Sequence, residues 1–210
     1  MNNVVEFLSL TQRLANLGPD LPRSRGKMTL YEKAHFEAIR FVHDTLFGHF
    51  IKPHEWLAQS GITAGQYVLE VGCGSGFFTI PAAELVGESG HLWALDNNPV
   101  AVDHVKRRIL LRGIYNVDVV LADALHTGLP DGSFNVAFLY GVIHNLWGRA
   151  ETLLPEMHDV LKTGGILSIA KSPRIGEERI IRGVTETGLF RLLQKTNRVM
   201  NFERLQGAGP

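Results

Sequence analysis

Cysteine is almost missing from this chain. Of 210 residues only Cys73 is a cysteine, so no internal disulfide can form and no site needing several thiolates can be built. An excess of charge is missing as well, since 21 Lys and Arg stand against 21 Asp and Glu. A large nucleic-acid footprint needs clustered positive charge to neutralise phosphates, and this balance argues against one. No apolar run approaches the ~20 residues that span a bilayer. The opening MNNVVEFLSL has neither a basic leader nor a small-residue cleavage site, so no signal peptide is read and a cytoplasmic setting is expected. The 9 histidines are scattered, with no His-x-x-x-His spacing, and no metal site is expected. Internal repeats and low-complexity tracts are absent.

What is present is a globular composition, 45% hydrophobic and 20% charged, enough for one domain and a small cap. Residues 1–17 have the apolar spacing of a short amphipathic helix, and GPDLPRSRGK then breaks it. The spacing predicts a second helix over 29–51. Thr29 and Glu32 form its capping box, and Phe36, Ile39, Val42, Leu46 and Phe50 recur at three and four. Residues 1–52 are therefore expected to form a helical cap and residues 53–210 a separate domain.

In that domain a short helix, PHEWLAQSG, leads into alternating strands and helices. QYVLEVG, HLWALD, VDVVLAD, NVAFLYG and ILSIAKS read as strands. FFTIPAAELVG, NPVAVDHVKRRILLRG, AETLLPEMHDVLKTGG and EERIIRGVTETG read as helices, the third running to its terminal glycines. Alternation of this kind means a parallel sheet covered on both faces, because right-handed crossovers force that layering. The tail LFRLLQKTNRVMNFERL holds two extended segments around TN, a hairpin that adds antiparallel pairing. The expected class is α/β, a Rossmann-like doubly wound sheet of seven strands.

Gly72, Gly74 and Gly76 follow the first strand directly, in YVLEVGCGSGFF. Glycine at the first strand–helix turn of such a sheet permits positive φ and lets a ligand approach the backbone. A dinucleotide fingerprint, G-x-G-x-x-G/A, wants a small residue where this chain has Phe77. Glu70 beside the turn also sits badly with a pyrophosphate, which seeks bare helix N–H groups. A cationic, amine-bearing ligand fits the turn better.

LEVGCGSG resembles the E/D-x-G-x-G-x-G signature of the class I S-adenosylmethionine-dependent methyltransferases. ALDNNPVAVDHVKRR, VVLADALHTGLPDGSFNVAFLYGVIHNL and EMHDVLKTGGILSIAKS resemble the family's later motifs in order and spacing, over about residues 53–205. The resemblance implies S-adenosylmethionine as cofactor. Gly72, Gly74 and Gly76 would lie against its methionine part, with Cys73 packed among them as a small hydrophobe. Glu70 would stand at the mouth and offset the positive charge or orient the turn through its own N–H bonds. Asp96, with Asn97 beside it, would take the ribose hydroxyls, since a carboxylate accepts at both oxygens. Asp123 would accept from the adenine amino group, and Ala124 would offer its N–H. Tyr140 and Gly141 would present backbone carbonyls to the methionine amine, and Tyr31 would reach the cofactor from the cap. His144, just past the fourth strand, is a candidate general base or acceptor hydrogen bond; packing on Trp147 is the plainer alternative.

The acceptor is expected to be a small molecule, apolar or aromatic, because DGSFNVAFLYGVIHNL and VLKTGGILSIAKS are nearest to the ubiquinone/menaquinone C-methyltransferases. A tRNA or protein methyltransferase is an alternative, suggested by NPVAVDHVKRRILLRG and weakened by the zero net charge. A catalytically silent cofactor-binding subunit of a complex is another, and an NAD-dependent enzyme a third.

Overall fold

The computed structural model describes residues 52–206. Residues 1–51, including Tyr31 and nearly all of the expected cap, lie outside the described residues. The first described helix is α1, Pro53–Leu57. Five parallel strands follow, β1 (Tyr67–Val71), β2 (His91–Asp96), β3 (Val117–Leu121), β4 (Phe134–Leu139) and β5 (Leu161–Ala170). Between them run α2 (Thr79–Val86), α3 (Pro99–Leu111), the one-turn α4 (Ile143–Leu146) and α5 (Ala150–Val160). After β5 come α6 (Glu177–Thr185), β6 (Phe190–Lys195) and β7 (Val199–Arg204).

The seven strands stand in the order β3-β2-β1-β4-β5-β7-β6. The expected hairpin is there, and it is inserted rather than appended. β7 lies antiparallel between β5 and β6, leaving β6 at the edge. Alternation along each strand divides the core in two, as the period of a strand requires. Val68, Leu92, Val136 and Phe138 face Ala82, Val86, Val102 and Val105 of α2 and α3. Leu69, Leu95, Ala137 and Leu167 face Leu153, Met157, Ile180 and Val184 of α5 and α6. Chain order reverses between β1 and β4, so the carboxyl ends of these strands open the crevice where doubly wound sheets bind ligands.

One boundary differs from the sequence expectation. The helix of AETLLPEMHDV stops at Val160, and LKTGG belongs to β5 instead of ending the helix. Leu161 pairs with Phe134, and the register then slips before Val136 meets Ile166. Thr163, Gly164 and Gly165 take up that slip. A Cβ on Gly165 would stand 2.7 Å from the Lys162 carbonyl oxygen, which only glycine avoids.

Candidate active site

The three glycines of the turn after β1 serve three purposes. All have positive φ, +80° at Gly72, +50° at Gly74 and +77° at Gly76. A Cβ on Gly72 would come within 2.9 Å of Val142 Cγ2, so this glycine lets the loop after β4 close on the turn. A Cβ on Gly76 would meet Val105 Cγ2 at 3.1 Å, so this one admits α3. At Gly74 nothing lies within 4 Å of the Cβ position. Only there does the missing side chain leave open space. The turn is fixed from below: the N–H groups of Gly72 and Cys73 donate to the Leu95 carbonyl at 2.8 and 3.0 Å. Arg108 on α3 donates to the Ser75 carbonyl at 2.7 Å.

Asp96 ends β2 and holds the open glycine. Its Oδ2 accepts from the Gly74 N–H at 2.9 Å and its Oδ1 from the Asn98 N–H at 2.9 Å. Asn98 in turn caps α3, accepting from Val100 N–H at 3.0 Å ahead of Pro99. The Asp96 carboxylate has acceptor capacity beyond these two bonds. Burial raises the Asp96 pKa, opposed by the N–H groups of Gly74, Asn98 and Asn97. Asn97 itself is exposed at the rim.

Glu70 is placed differently from its expected position at the mouth. It is only 2% exposed, beneath the turn, and accepts from the Thr79 hydroxyl at 2.6 Å at the start of α2. Burial pushes this carboxyl up to about 8; the Thr79 bond pulls it down and the Asp96 charge adds to the rise. Cys73 is buried, and burial, with Glu70 and Asp96 adding, drives its thiol far up. It packs as a small hydrophobe and is no nucleophile.

Asp123, after β3, bends the chain with Oδ1 accepting from Leu125 N–H at 3.0 Å, while Ala124 is nearly buried beside it. After β4, the Tyr140 phenol turns inward, 2.9 Å from Ser168 Oγ, which donates to Asn201 at 2.7 Å. That leaves the backbone of Tyr140 and of exposed Gly141, at φ +77°, to line the crevice. His144 sits half-buried in α4. Burial, seconded by the charge of Arg174, presses its pKa down to about 4. The Trp147 ring lies 2.8 Å from where a Cβ on Gly183 of α6 would stand.

Known proteins share this fold. Residues 68–165 match the family model of a methyltransferase domain. The ubiquinone/menaquinone biosynthesis C-methyltransferase UbiE of Azotobacter vinelandii is 32% identical over 71% of this chain and 60% of its own length. A demethylmenaquinone methyltransferase of Geobacillus stearothermophilus is 31% identical over 52% of this chain and 47% of its own. A crystal structure of an S-adenosylmethionine-dependent methyltransferase from Aquifex aeolicus superposes with a TM-score of 0.67 at 21% identity, covering 85% of this chain and 98% of that one. The chain carries a class I S-adenosylmethionine-dependent methyltransferase domain. It spans only about half to three-fifths of the two curated relatives.

The turn suits the cofactor of this methyltransferase family. S-adenosylmethionine carries a sulfonium and an ammonium, and the turn offers them the Asp96 carboxyl group. A pyrophosphate would instead bring negative charge against it. The space over Gly74 is one a side chain would fill, and beside it the Ser75 hydroxyl is buried without a hydrogen-bond partner among the described residues. Such an orphaned group at a ligand-facing turn fits a site that is completed by its ligand.

Sequence reasoning missed Thr79, Arg108 and Arg174. The first two are supports whose partners come from distant positions. Arg174, in SPRIG after β5, carries the same positional signal as His144, a polar residue just past the carboxyl end of a central strand. A shallow cavity of about 390 Å³ lined by Asp131, Asp159, Lys162 and Arg204 lies at the amino ends of β4 and β5, opposite the turn. Its arginine is spent on the His158 carbonyl and the Thr163 hydroxyl.

Proposed function

We propose that this protein transfers a methyl group from S-adenosylmethionine to a small-molecule acceptor. The observation that carries the reading is the open face of Gly74, tied at its N–H to Asp96 at the switch point of the sheet. In this reading the free lone pairs of Asp96 take the ribose hydroxyls. Asp123 and the Ala124 N–H take the adenine, and the backbone carbonyls of Tyr140 and Gly141 take the amine. Glu70 supports the turn from beneath, through its bond to Thr79, and Asn97 borders the ribose. The bound cofactor supplies an electrophilic methyl on sulfur. The protein supplies alignment, exclusion of water and a polar group at the acceptor, His144.

The acceptor proposed is aromatic and quinone-like, in keeping with the names of the relatives, and not nucleic acid. A cap over residues 1–52 that brings Tyr31 to the cofactor, and a cytoplasmic setting, belong to the same proposal. Among the described residues no helix is long and apolar enough to cross a membrane.

Calorimetric titration with S-adenosylmethionine, S-adenosylhomocysteine and NAD, on wild type and Asp96→Ala, tests it. Micromolar binding of the first two, lost in the variant, is the expected result. Binding of NAD alone, or of none of the three, overturns it. A catalytically silent subunit would bind the first two and methylate no acceptor in a screen of phenols and hydroquinones.

A further inference from the structure

We propose that Asn201, on β7, is a positioning residue for the methionine end of the cofactor, acting through Ser168 and the Tyr140 phenol on the backbone of Tyr140 and Gly141. The inference rests on the methyltransferase reading and gives the inserted hairpin a part in it. Tyr140, Ser168 and Asn201 are all buried. Ser168 stands opposite Phe138 of β4 on one side and opposite Asn201 of β7 on the other. Tyr140 follows Phe138 by two residues, and its ring stays on the same face of the sheet, 5.0 Å from that of Phe138. The three polar side chains form one row across β4, β5 and β7, beside the apolar cluster of Phe138, Ala170 and Val199.

The direction of each bond in the row follows from its far end. Asn201 Nδ2 donates to the Gln59 carbonyl at 2.7 Å, which turns Oδ1 toward the Ser168 hydroxyl at 2.7 Å. An amide oxygen only accepts, so Ser168 uses its single proton there. The Tyr140 hydroxyl is therefore the donor of the 2.9 Å bond to Ser168. Burial raises the phenol's pKa, against the bonds to Ser168 and Ser60, so that proton stays in place. Stability does not demand this chain, since an apolar row of the same shape can be as stable. What a fully satisfied buried chain adds is one fixed arrangement of its members. The Tyr140 ring is held from other sides by Phe78, edge-on at 5.3 Å at the start of α2, and by Trp56 of α1 at 6.1 Å. With the ring fixed, the main chain through Tyr140 and Gly141, at φ +77°, keeps one course past the glycine turn. Asn201 is too deeply buried to meet the ligand and acts through the residue whose backbone lines the crevice.

Two probes separate the ends of the cofactor. The full 210-residue chain is titrated calorimetrically with S-adenosylhomocysteine and, in competition with it, with methylthioadenosine. The second probe has the same adenosine part and neither the amino nor the carboxyl group. Tyr140→Phe removes one oxygen and keeps the ring, while Asn201→Leu removes the far end of the chain. Each is expected to weaken S-adenosylhomocysteine about fivefold and to leave methylthioadenosine within about twofold of wild type. Phe202→Leu, the next residue of β7 and on its opposite face, is expected to lower the melting temperature and leave the ratio of the two affinities unchanged. A row that only holds the fold together would behave as Phe202→Leu does, with stability lost and the ratio kept. That outcome, or equal losses for both probes, overturns the inference while S-adenosylhomocysteine binding by wild type stands. If Asn201→Leu does not fold, Tyr140→Phe carries the decision, because Asn201 acts only through that hydroxyl. If wild type binds neither probe, the methyltransferase reading falls first and takes this one with it.

Discussion

The turn after β1 and the loops after β4 and β5 share one end of one sheet, yet they are built from different material. The first is backbone fastened to backbone, with two carboxyl groups beneath and beside it, Glu70 and Asp96, both raised in pKa. The second presents side chains, a histidine pressed toward neutrality and an arginine with no carboxylate of its own among the described residues. The Asp96 carboxyl on one side suits a cationic cofactor, and on the other side the charge of Arg174 bears on His144. The two halves differ in rigidity as well as sign. The turn is held by main-chain bonds to Leu95 and by the half-buried side chains of Asp96 and Arg108, whereas Arg174 is exposed. A cofactor site can be common to many enzymes when backbone geometry defines it, while an acceptor site built from exposed side chains varies freely.

The sharpest way to break this comparison is to fill the cofactor half. Gly74→Val places a branched side chain in open space, so the cost to the fold is mainly that of positive φ, about 2 kcal/mol. Cofactor binding is expected to fall by more than about 100-fold, beyond calorimetric detection. Gly72→Ala should do the reverse. Its Cβ would collide with Val142 at 2.9 Å, and about 3 kcal/mol of stability should be lost in a urea melt. If Gly74→Val binds cofactor normally, the open face is not where the ligand lies.

Asp96→Ala comes next. Removing an acceptor for two hydroxyls should weaken cofactor binding by about 1.5–3 kcal/mol. The variant also frees the N–H groups of Gly74 and Asn98, so a lower melting temperature is expected alongside. Unchanged affinity with lowered stability would make Asp96 a support of the turn and no ribose ligand.

The glycine run and the alternation of strands and helices were legible in the sequence because they are local patterns: three glycines after an apolar run, and a period that switches between elements. Which glycine faces the ligand was not legible. That depends on Val142 and Val105 approaching two of the three, and both arrive through tertiary packing. The same holds for Glu70. Its place in the motif was plain, but both faces of a central parallel strand are covered, so the side chain had no exposed mouth to occupy. LKTGG read as a helix end because glycines commonly close helices, and only the pairing of Leu161 with Phe134 decides otherwise. Arg174 has no motif at all.

Glu70→Gln tests the cofactor half without reshaping it. A carboxyl raised to about 8 from 4.5 holds its proton in the folded protein while the unfolded chain releases it. This group's contribution to stability is therefore full below pH 4.5 and is lost as pH rises toward about 8. Glutamine does not titrate, so the variant should gain on wild type by about 4 kcal/mol between about pH 5 and about pH 9. Because the folded carboxyl keeps its proton below about pH 8, the same change removes no charge at neutral pH, and S-adenosylmethionine should lose no more affinity than its sulfonium-free product. A constant stability difference across that range would mean that Glu70 is already ionised in the folded state.

The smallest effect probes the acceptor half. His144, pressed to about 4 from 6.5, refuses a proton that the unfolded chain accepts between those values, so its contribution makes the protein less stable as pH falls through that window. Its imidazole resonances should titrate near the lower value in an NMR series. Burial is the larger cause and Arg174 the second, so Arg174→Met should return the midpoint only part of the way, by a fraction of a unit. Raising the salt concentration should imitate the variant weakly, because an exposed guanidinium is screened and a buried environment is not. A midpoint that ignores both changes would leave burial as the whole cause. A midpoint that moves with both fixes the sign of the field in which the acceptor must sit.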